Sequence, residues 1–352
     1  MNYRNTFAEV NLGNITHNVE KIISTYPSYK YYIGVVKADS YGHDDLSTVK
    51  AIIAGGCNYL AVATLDEALI IRNEIKDIPI LCLGVINHKY LNICLENNID
   101  ITVNSLDYLK DIDISNLNIH IKLNTGMNRL GIKDKDTLIT VYNLVKSKEL
   151  NIVGIYSHLY NATNNDINNK QLNIFKELIE SIDYRTIPII HLQSSEGIIN
   201  LEKYDFINGC RLGIIMYGFS SNDKLKLKST FSLFSEVIQI NKLEKGESLG
   251  YSGKYIAENP TKIAVVSIGY ADGIIRQNTG RYVYINNKRY PIVGNICMDM
   301  LFVEIDDSVK VGDKVEILKD KEHILEVANY LNTIPYEMLC TISKRVPRVY
   351  IK

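Results

Sequence analysis

A chain of 352 residues, 46% of them hydrophobic, is long enough to bury a large core and a second, smaller one. Its 39 Lys and Arg against 40 Asp and Glu leave a formal charge of −1, which removes any global electrostatic drive toward nucleic acid or an anionic membrane. No apolar run reaches membrane-spanning length, and the opening Met1-Asn2-Tyr3-Arg4-Asn5 has no signal-peptide pattern, so a cytoplasmic protein without a nucleic-acid or membrane partner is expected.

Phe7 to Val10 reads as a short strand. A helix follows from Asn14, taken as its N-cap, with Ile15, Val19, Ile22 and Ile23 on one face. The apolar run Tyr31 to Val36 then reads as a buried strand that ends on Lys37 and enters a turn containing Gly42. Further apolar runs cover Tyr59–Ala63, Ile80–Val85, Ile101–Val103, Ile119–Leu123, Ile152–Tyr156, Ile187–Leu192 and Gly213–Tyr217. Between them lie helical patterns. Leu138, Val141, Leu144 and Val145 share one face, and Leu172, Phe175, Leu178 and Ile179 another. Eight strand–helix units in a row exceed the usual open doubly wound sheet and predict an α/β fold, a closed (β/α)8 barrel over residues 1–228.

Near the polar Ser221-Asn222-Asp223-Lys224 the pattern changes. Strand-like runs at Phe231–Ile240, Ile263–Ile268, Tyr282–Ile285, Leu301–Ile305 and Lys314–Leu318 are separated by turn signals such as Glu244-Lys245-Gly246-Glu247 and Asn286-Asn287. Residues 229–352 therefore read as a mainly antiparallel β domain. The six cysteines are scattered without a Cys-x-x-Cys pair, and the seven histidines show no His-Glu-x-x-His spacing, so buried reduced thiols and no metal are expected.

In a barrel of this kind the loops after the strands gather at one mouth and form the active site. Lys37 ends the first barrel strand, and His158 ends the sixth. Ser194 and Ser195 follow the seventh, and Arg211 and Gly213 lie around the eighth. A lysine amine stripped of water is favoured in its neutral form and can form a Schiff base with an aldehyde. The Ser195 hydroxyl and the backbone N–H groups around Gly213 suit a phosphate, because a missing Cβ permits close approach. Each part has a plainer reading: a surface lysine, a core histidine, a helix-capping serine, an arginine in an ordinary ion pair. Their shared address is what points to pyridoxal 5'-phosphate as cofactor.

The motifs Ala8-Glu9-Val10-Asn11-Leu12 and Val35-Val36-Lys37-Ala38-Asp39-Ser40-Tyr41-Gly42-His43 appear in this order with Asn124-Thr125-Gly126-Met127-Asn128-Arg129-Leu130-Gly131 and Gly250-Tyr251-Ser252-Gly253-Lys254-Tyr255. They continue through Ile268-Gly269-Tyr270-Ala271-Asp272-Gly273, Asn295-Ile296-Cys297-Met298-Asp299 and Arg345-Val346-Pro347-Arg348. On these motifs the chain resembles the alanine racemases of the pyridoxal-phosphate-dependent, barrel-plus-β-domain type, nearly end to end.

The resemblance implies an isomerase that interconverts L-alanine and D-alanine by a two-base mechanism. It implies that Lys37 carries the cofactor and acts on the D-alanine side, and that Tyr251 acts on the L-alanine side. Tyr41, Ser195, Gly213 and Ile214 hold the phosphate in this reading, His158 lies against the ring, and Arg211 faces the pyridine nitrogen. A guanidinium keeps its proton at ordinary pH, so that nitrogen stays unprotonated, which weakens the ring as an electron sink and suppresses side transamination. A phenol with a free pKa of about 10 needs a positive environment to serve as a base, and Arg129 would help to supply it. Arg129 and the Met298 N–H position the substrate carboxylate, Tyr270 and Arg276 line the entrance, and Lys122 is carbamylated to orient Arg129. Tyr251 comes from the partner's β domain, so the resemblance implies a homodimer, with cell-wall D-alanine supply as the pathway.

Two departures stand out. Leu212 replaces the proline that usually follows the arginine of the eighth-strand motif, and Lys344, in Cys340-Thr341-Ile342-Ser343-Lys344-Arg345, replaces the usual tyrosine. The second widens the entrance or gives the phosphate a direct cation, and makes relaxed serine/alanine racemisation an alternative. A non-enzymatic pyridoxal-phosphate carrier is a further alternative, but it has no need of a β domain bearing Tyr251. A decarboxylase of the same architecture would need acidic recognition of a long cationic side chain, whose usual motifs are not apparent.

Overall fold

The computed structural model describes residues 3–44, 46–221 and 225–352, so the opening Met1-Asn2 and all of the predicted polar boundary except Ser221 lie outside the described residues. The chain divides into two compact units, one of Ile15–Ser40 and Asp45–Leu227, the other of Met1–Asn14, Tyr41–Asp44 and Lys228–Lys352. The expected first strand is β1 (Phe7–Asn11), and it belongs to the second unit. The helix after it covers Leu12–Thr25 and buries Ile15, Val19 and Ile22. Its cap is not Asn14. The side-chain Oδ1 of Asn11 accepts the Asn14 N–H at 2.7 Å, one turn earlier than the sequence reading placed it.

The first unit is a closed barrel of eight parallel strands: β2 (Tyr31–Val35), β3 (Tyr59–Val62), β4 (Ile80–Cys82), β5 (Ile99–Val103), β6 (Asn118–Lys122), β7 (Asn151–Tyr156), β8 (Ile189–His191) and β9 (Gly209–Leu212). Each pairs with the next, and β9 returns to β2 with Tyr31 opposite Gly209. Strands covered on both faces need near-continuous apolar runs, which is why the sequence reading found seven of the eight. The eighth was misplaced. Gly213–Tyr217 is not the strand; Ile214–Tyr217 form a buried 3-10 turn ended by Gly218 at φ 96°, and the strand is the Gly-Cys-Arg-Leu stretch before it. The apolarity of Ile214–Tyr217 reports burial, and a run that short does not distinguish strand from turn.

After β2, Ala38, Asp39, Ser40 and Tyr41 take φ values of 53°, 51°, 51° and 56°, and Gly42 follows at 79°. The chain therefore winds one left-handed turn directly behind Lys37, closed by the Ser40 N–H donating to Val36 O at 3.0 Å. Left-handed winding costs roughly 1–2 kcal/mol per non-glycine residue, so this turn persists only because its surroundings impose it. In the barrel unit the Glu67 carboxylate accepts the Ala38 N–H at 2.7 Å. In the β unit, a Cβ on Gly42 would stand 2.1 Å from Leu339 O, and the Gly42 carbonyl accepts from Arg348 Nε at 3.0 Å.

The second unit is an eight-stranded, mainly antiparallel sheet. Its strands are β10 (Phe231–Leu243), β13 (Thr261–Val266), β14 (Tyr282–Ile285), β15 (Lys288–Val293), β16 (Leu301–Ile305), β17 (Lys314–Leu318) and β18 (Arg348–Ile351), together with β1. A two-stranded ribbon, β11 (Ser248–Leu249) with β12 (Tyr255–Ile256), frames Tyr251. β1 is antiparallel to β10 and parallel to β18.

Candidate active site

The polar groups expected at the C-terminal mouth of the barrel are where the strand ends put them. Lys37 is half-buried just past β2, and its charge bears on His158, which follows β7. The His158 ring is held to a pKa of about 2, by burial first and then by Arg211, Lys122, Arg129 and Lys37, so it is neutral at any working pH. Its Nδ1 lies 3.1 Å from Arg211 Nη2, and because a guanidinium only donates, His158 Nδ1 is the acceptor and its proton sits on Nε2.

Arg211, on β9, is buried with both terminal nitrogens occupied. Nη1 donates to His191 Nδ1 at 2.7 Å and His191 O at 3.3 Å, and Nη2 to Ser157 O at 2.8 Å and Leu192 O at 3.0 Å as well as to His158. Among the described residues no acceptor engages Nε, which leaves that single N–H to meet a bound group. Ser195 opens the helix Ser195–Asn200, and its Oγ accepts the Gly213 N–H at 3.0 Å and the Ile215 N–H at 3.5 Å. Ile214 sits between those two amides.

Lys122 closes β6 at 8% exposure, its Nζ 4.3 Å over the ring of Tyr156. Burial first, then Arg211 and Arg129, hold its amine well below the usual ammonium range. Arg129 is exposed on the loop that follows. That loop is shaped by Asn124, whose Oδ1 accepts the Gly126 and Asn128 N–H groups at 3.1 and 3.0 Å, and by Gly131 at φ 117°, where a Cβ would lie 2.6 Å from the backbone of Leu123.

On the β unit, Tyr251 is 72% exposed and Met298 53%. The Tyr251 carbonyl accepts from Asn295 Nδ2 at 2.8 Å, which ties the Tyr251 segment to that of Met298. Gly269 lies against the Met298 backbone, where a Cβ would come within 2.4 Å of its carbonyl oxygen, and Tyr270 follows, exposed, with Arg276 exposed a few residues on. Tyr41 is buried, with its ring 5.8 Å from that of Tyr336, and burial pushes its phenol well above the ordinary range. Lys344 is exposed in the turn before β18, beside Arg345, which pairs with Asp299 at 2.8 Å. The sequence reading missed His191 and Tyr156, whose rings stack 4.6 Å apart inside the barrel. Their signal was a polar residue inside an otherwise apolar buried strand.

Residues 10–221 match the family model described as "Alanine racemase, N-terminal domain", and residues 230–350 match "Alanine racemase, C-terminal domain". Alanine racemase 1 of Bacillus subtilis is 35% identical over 99% of this chain and 94% of its own length. Among solved structures, the alanine racemase of Clostridium difficile 630 superposes with a TM-score of 0.94 at 32% identity, covering 100% of this chain and 97% of that one. The alanine racemase of Bartonella henselae, solved with covalently bound pyridoxal phosphate, does so with a TM-score of 0.89 at 29% identity over 99% of each chain. The chain belongs to the alanine racemase family, isomerases that interconvert L-alanine and D-alanine.

Proposed function

We propose that the chain carries out this interconversion with pyridoxal 5'-phosphate held on Lys37, and with Lys37 and Tyr251 as the two bases. The observation that carries this reading is the Arg211 guanidinium: with Nη1 and Nη2 bonded to the protein and no partner for Nε among the described residues, its Nε–H suits a ring nitrogen. Once bound, the cofactor supplies the electron withdrawal that acidifies the Cα–H of an attached amino acid. Arg211 keeps its proton and donates without giving it up. His158, neutral, offers a flat face to the ring. Tyr41, the Ser195 hydroxyl and the amides of Gly213 and Ile214 take the phosphate. Arg129 and the Met298 N–H hold the substrate carboxylate, and Tyr270 and Arg276 line the entrance.

Racemisation needs proton removal on one face of Cα and delivery on the other. Lys37 Nζ holds the proton on the D-alanine face and Tyr251 Oη on the L-alanine face. An exposed tyrosine and an exposed methionine on the segments that match the family motif support a composite site, completed when residues 229–352 of a second copy supply Tyr251. We place the protein in the cytoplasm, as a homodimer supplying D-alanine for cell-wall precursors. Lys122 is a carbamate in this reading: its unprotonated amine, favoured by burial and by the charges of Arg211 and Arg129, adds to carbon dioxide, loses one proton, and becomes an anion that those charges favour.

Chiral analysis of products from L-alanine and from D-alanine tests the reading. Interconversion in both directions, with visible absorbance of bound cofactor that Lys37→Ala abolishes, is expected. Retention of full activity by either Lys37→Ala or Tyr251→Phe would remove the two-base mechanism.

A further inference from the structure

Behind Arg211 a file of polar side chains runs through the apolar barrel interior. Arg211 is on β9, His191 is the last residue of β8, His120 sits in the middle of β6, Tyr59 is the first residue of β3, and Asp100 the second of β5. His191, His120 and Asp100 are buried. The file thus starts at the mouth where Lys37 lies and ends near the opposite mouth, on an open depression lined by Tyr31, Tyr59, Asp100 and Asn118. Buried polar groups in such number persist only if each finds its partner.

Here the partners also impose a direction. Arg211 Nη1 can only donate, so His191 Nδ1, 2.7 Å away, must be a bare acceptor. The His191 proton is therefore on Nε2, which donates to His120 Nδ1 at 3.1 Å. That leaves His120 protonated on Nε2, 3.2 Å from the Tyr59 hydroxyl oxygen and 3.6 Å from Asp100 Oδ2. The Tyr59 hydroxyl in turn donates to Asp100. Every donor points the same way, from the guanidinium to a carboxylate, and both histidines are forced neutral.

The walls of the file are shaped to keep it. A Cβ on Gly154, which pairs with His120 across β6 and β7, would stand 2.2 Å from His120 Nδ1, so only glycine leaves room for that ring. The Tyr156 ring stacks on His191 at an interplanar angle of 10°, with its hydroxyl 2.9 Å from Thr102 Oγ1.

We propose that Asp100, at the far end of the barrel from Lys37, is a positioning residue for Arg211, acting through Tyr59, His120 and His191. Its carboxylate is the terminal acceptor that makes the whole file donate downward. Without it the tautomers are held from the Arg211 end alone, and the two histidines can exchange them together. A proton on His191 Nδ1 would then face Arg211 Nη1 donor to donor, and the guanidinium would give up that bond and shift its Nε–H. The inference rests on reading Arg211 as the partner of a ring nitrogen, although the file itself is testable without that reading.

The experiment is long-range proton–nitrogen NMR of the holoenzyme carrying nitrogen-15-labelled histidine, alongside alanine kinetics, for the parent, Asp100→Asn and Tyr59→Phe. The parent is expected to show His191 and His120 both neutral with the proton on Nε2. Asp100→Asn offers Tyr59 an amide donor and is expected to mix the tautomers at both histidines. Its kcat is expected to fall about tenfold, the scale of one charge-assisted hydrogen bond, with KM for alanine unchanged. Tyr59→Phe, the milder change, is expected to move both readouts in the same direction. Unaltered histidine tautomers in both variants would overturn the proposal, and so would a fall in kcat with unaltered tautomers, which is what a merely structural role gives. A parent that binds no pyridoxal phosphate would sink the reading of the site, while the nitrogen spectra would still decide the file.

Discussion

Lys122 Nζ stands 4.3 Å over the ring of Tyr156, and the charges that act on it are those of Arg211 and Arg129. Burial and both charges disfavour the ammonium form and push the pKa of the amine down. Intact-mass measurement of the native protein in bicarbonate buffer is expected to show a carboxyl adduct that disappears in Lys122→Met. The same variant is expected to lose about tenfold in kcat/KM, the scale of one outer hydrogen-bond partner. A parent mass without any bicarbonate-dependent adduct would count against the modification.

Tyr251, being mostly exposed on its own chain, contributes little to folding. Tyr251→Phe is expected to abolish most activity while Tm stays within the scatter of surface substitutions, about 0.5 kcal/mol in stability. If the two bases come from different copies, Lys37→Ala and Tyr251→Phe proteins, each nearly inactive, restore each other when unfolded and refolded together. Half of the dimers are then mixed and each carries one intact site, so about a quarter of parental activity is expected. Absence of any recovery would place both bases on one chain.

Most of this arrangement was legible because buried parallel strands write themselves as apolar runs. What the sequence hid was polar and internal. Asp100 lies between Ile99 and Ile101, His120 between Ile119 and Ile121, and His191 between Ile190 and Leu192. Each alternates into the barrel interior, where ordinary packing rules expect an aliphatic side chain, and only the fold shows that they meet. The displaced eighth strand has the same origin. Arg211 makes Gly209–Leu212 look like a loop, while the apolar Ile214–Tyr217 beside it looks like a strand. The candidate residues Lys37, His158 and Ser195 were readable because they follow barrel strand ends, whose positions the runs define.

Acid stability offers a test of the buried imidazoles. Burial holds His158 to about 2 and His323 to about 4, each below the ordinary histidine value. A group whose folded pKa is depressed leaves the unfolded chain binding the extra proton, so stability is full above the unfolded pKa of about 6.5 and declines as pH falls below it. Tm is therefore expected to drop between pH 6.5 and 4. His323 Nδ1 accepts the Lys319 N–H at 3.2 Å, a bond that Gln can imitate without titrating. His323→Gln is expected to flatten the decline in that window, and a slope equal to the parent's would show that His323 does not contribute.

Lys344, the departure that the family resemblance singles out, is exposed in its turn. Measurable serine racemisation is expected of the parent, and Lys344→Tyr is expected to lower the serine-to-alanine ratio of kcat/KM by severalfold, within the span that one small change in a pocket produces. An unchanged ratio would relieve Lys344 of any part in selectivity.

β1 sits between β10 and β18, pairing Phe7 with Phe234 and Ala8 with Arg348. During synthesis it leaves the ribosome more than two hundred residues ahead of either neighbour. Pairings between segments so distant along the chain form slowly, because loop closure is unfavourable until the contacts exist. β1 therefore waits unpaired until β10 follows, and gains its second neighbour only once β18 is made.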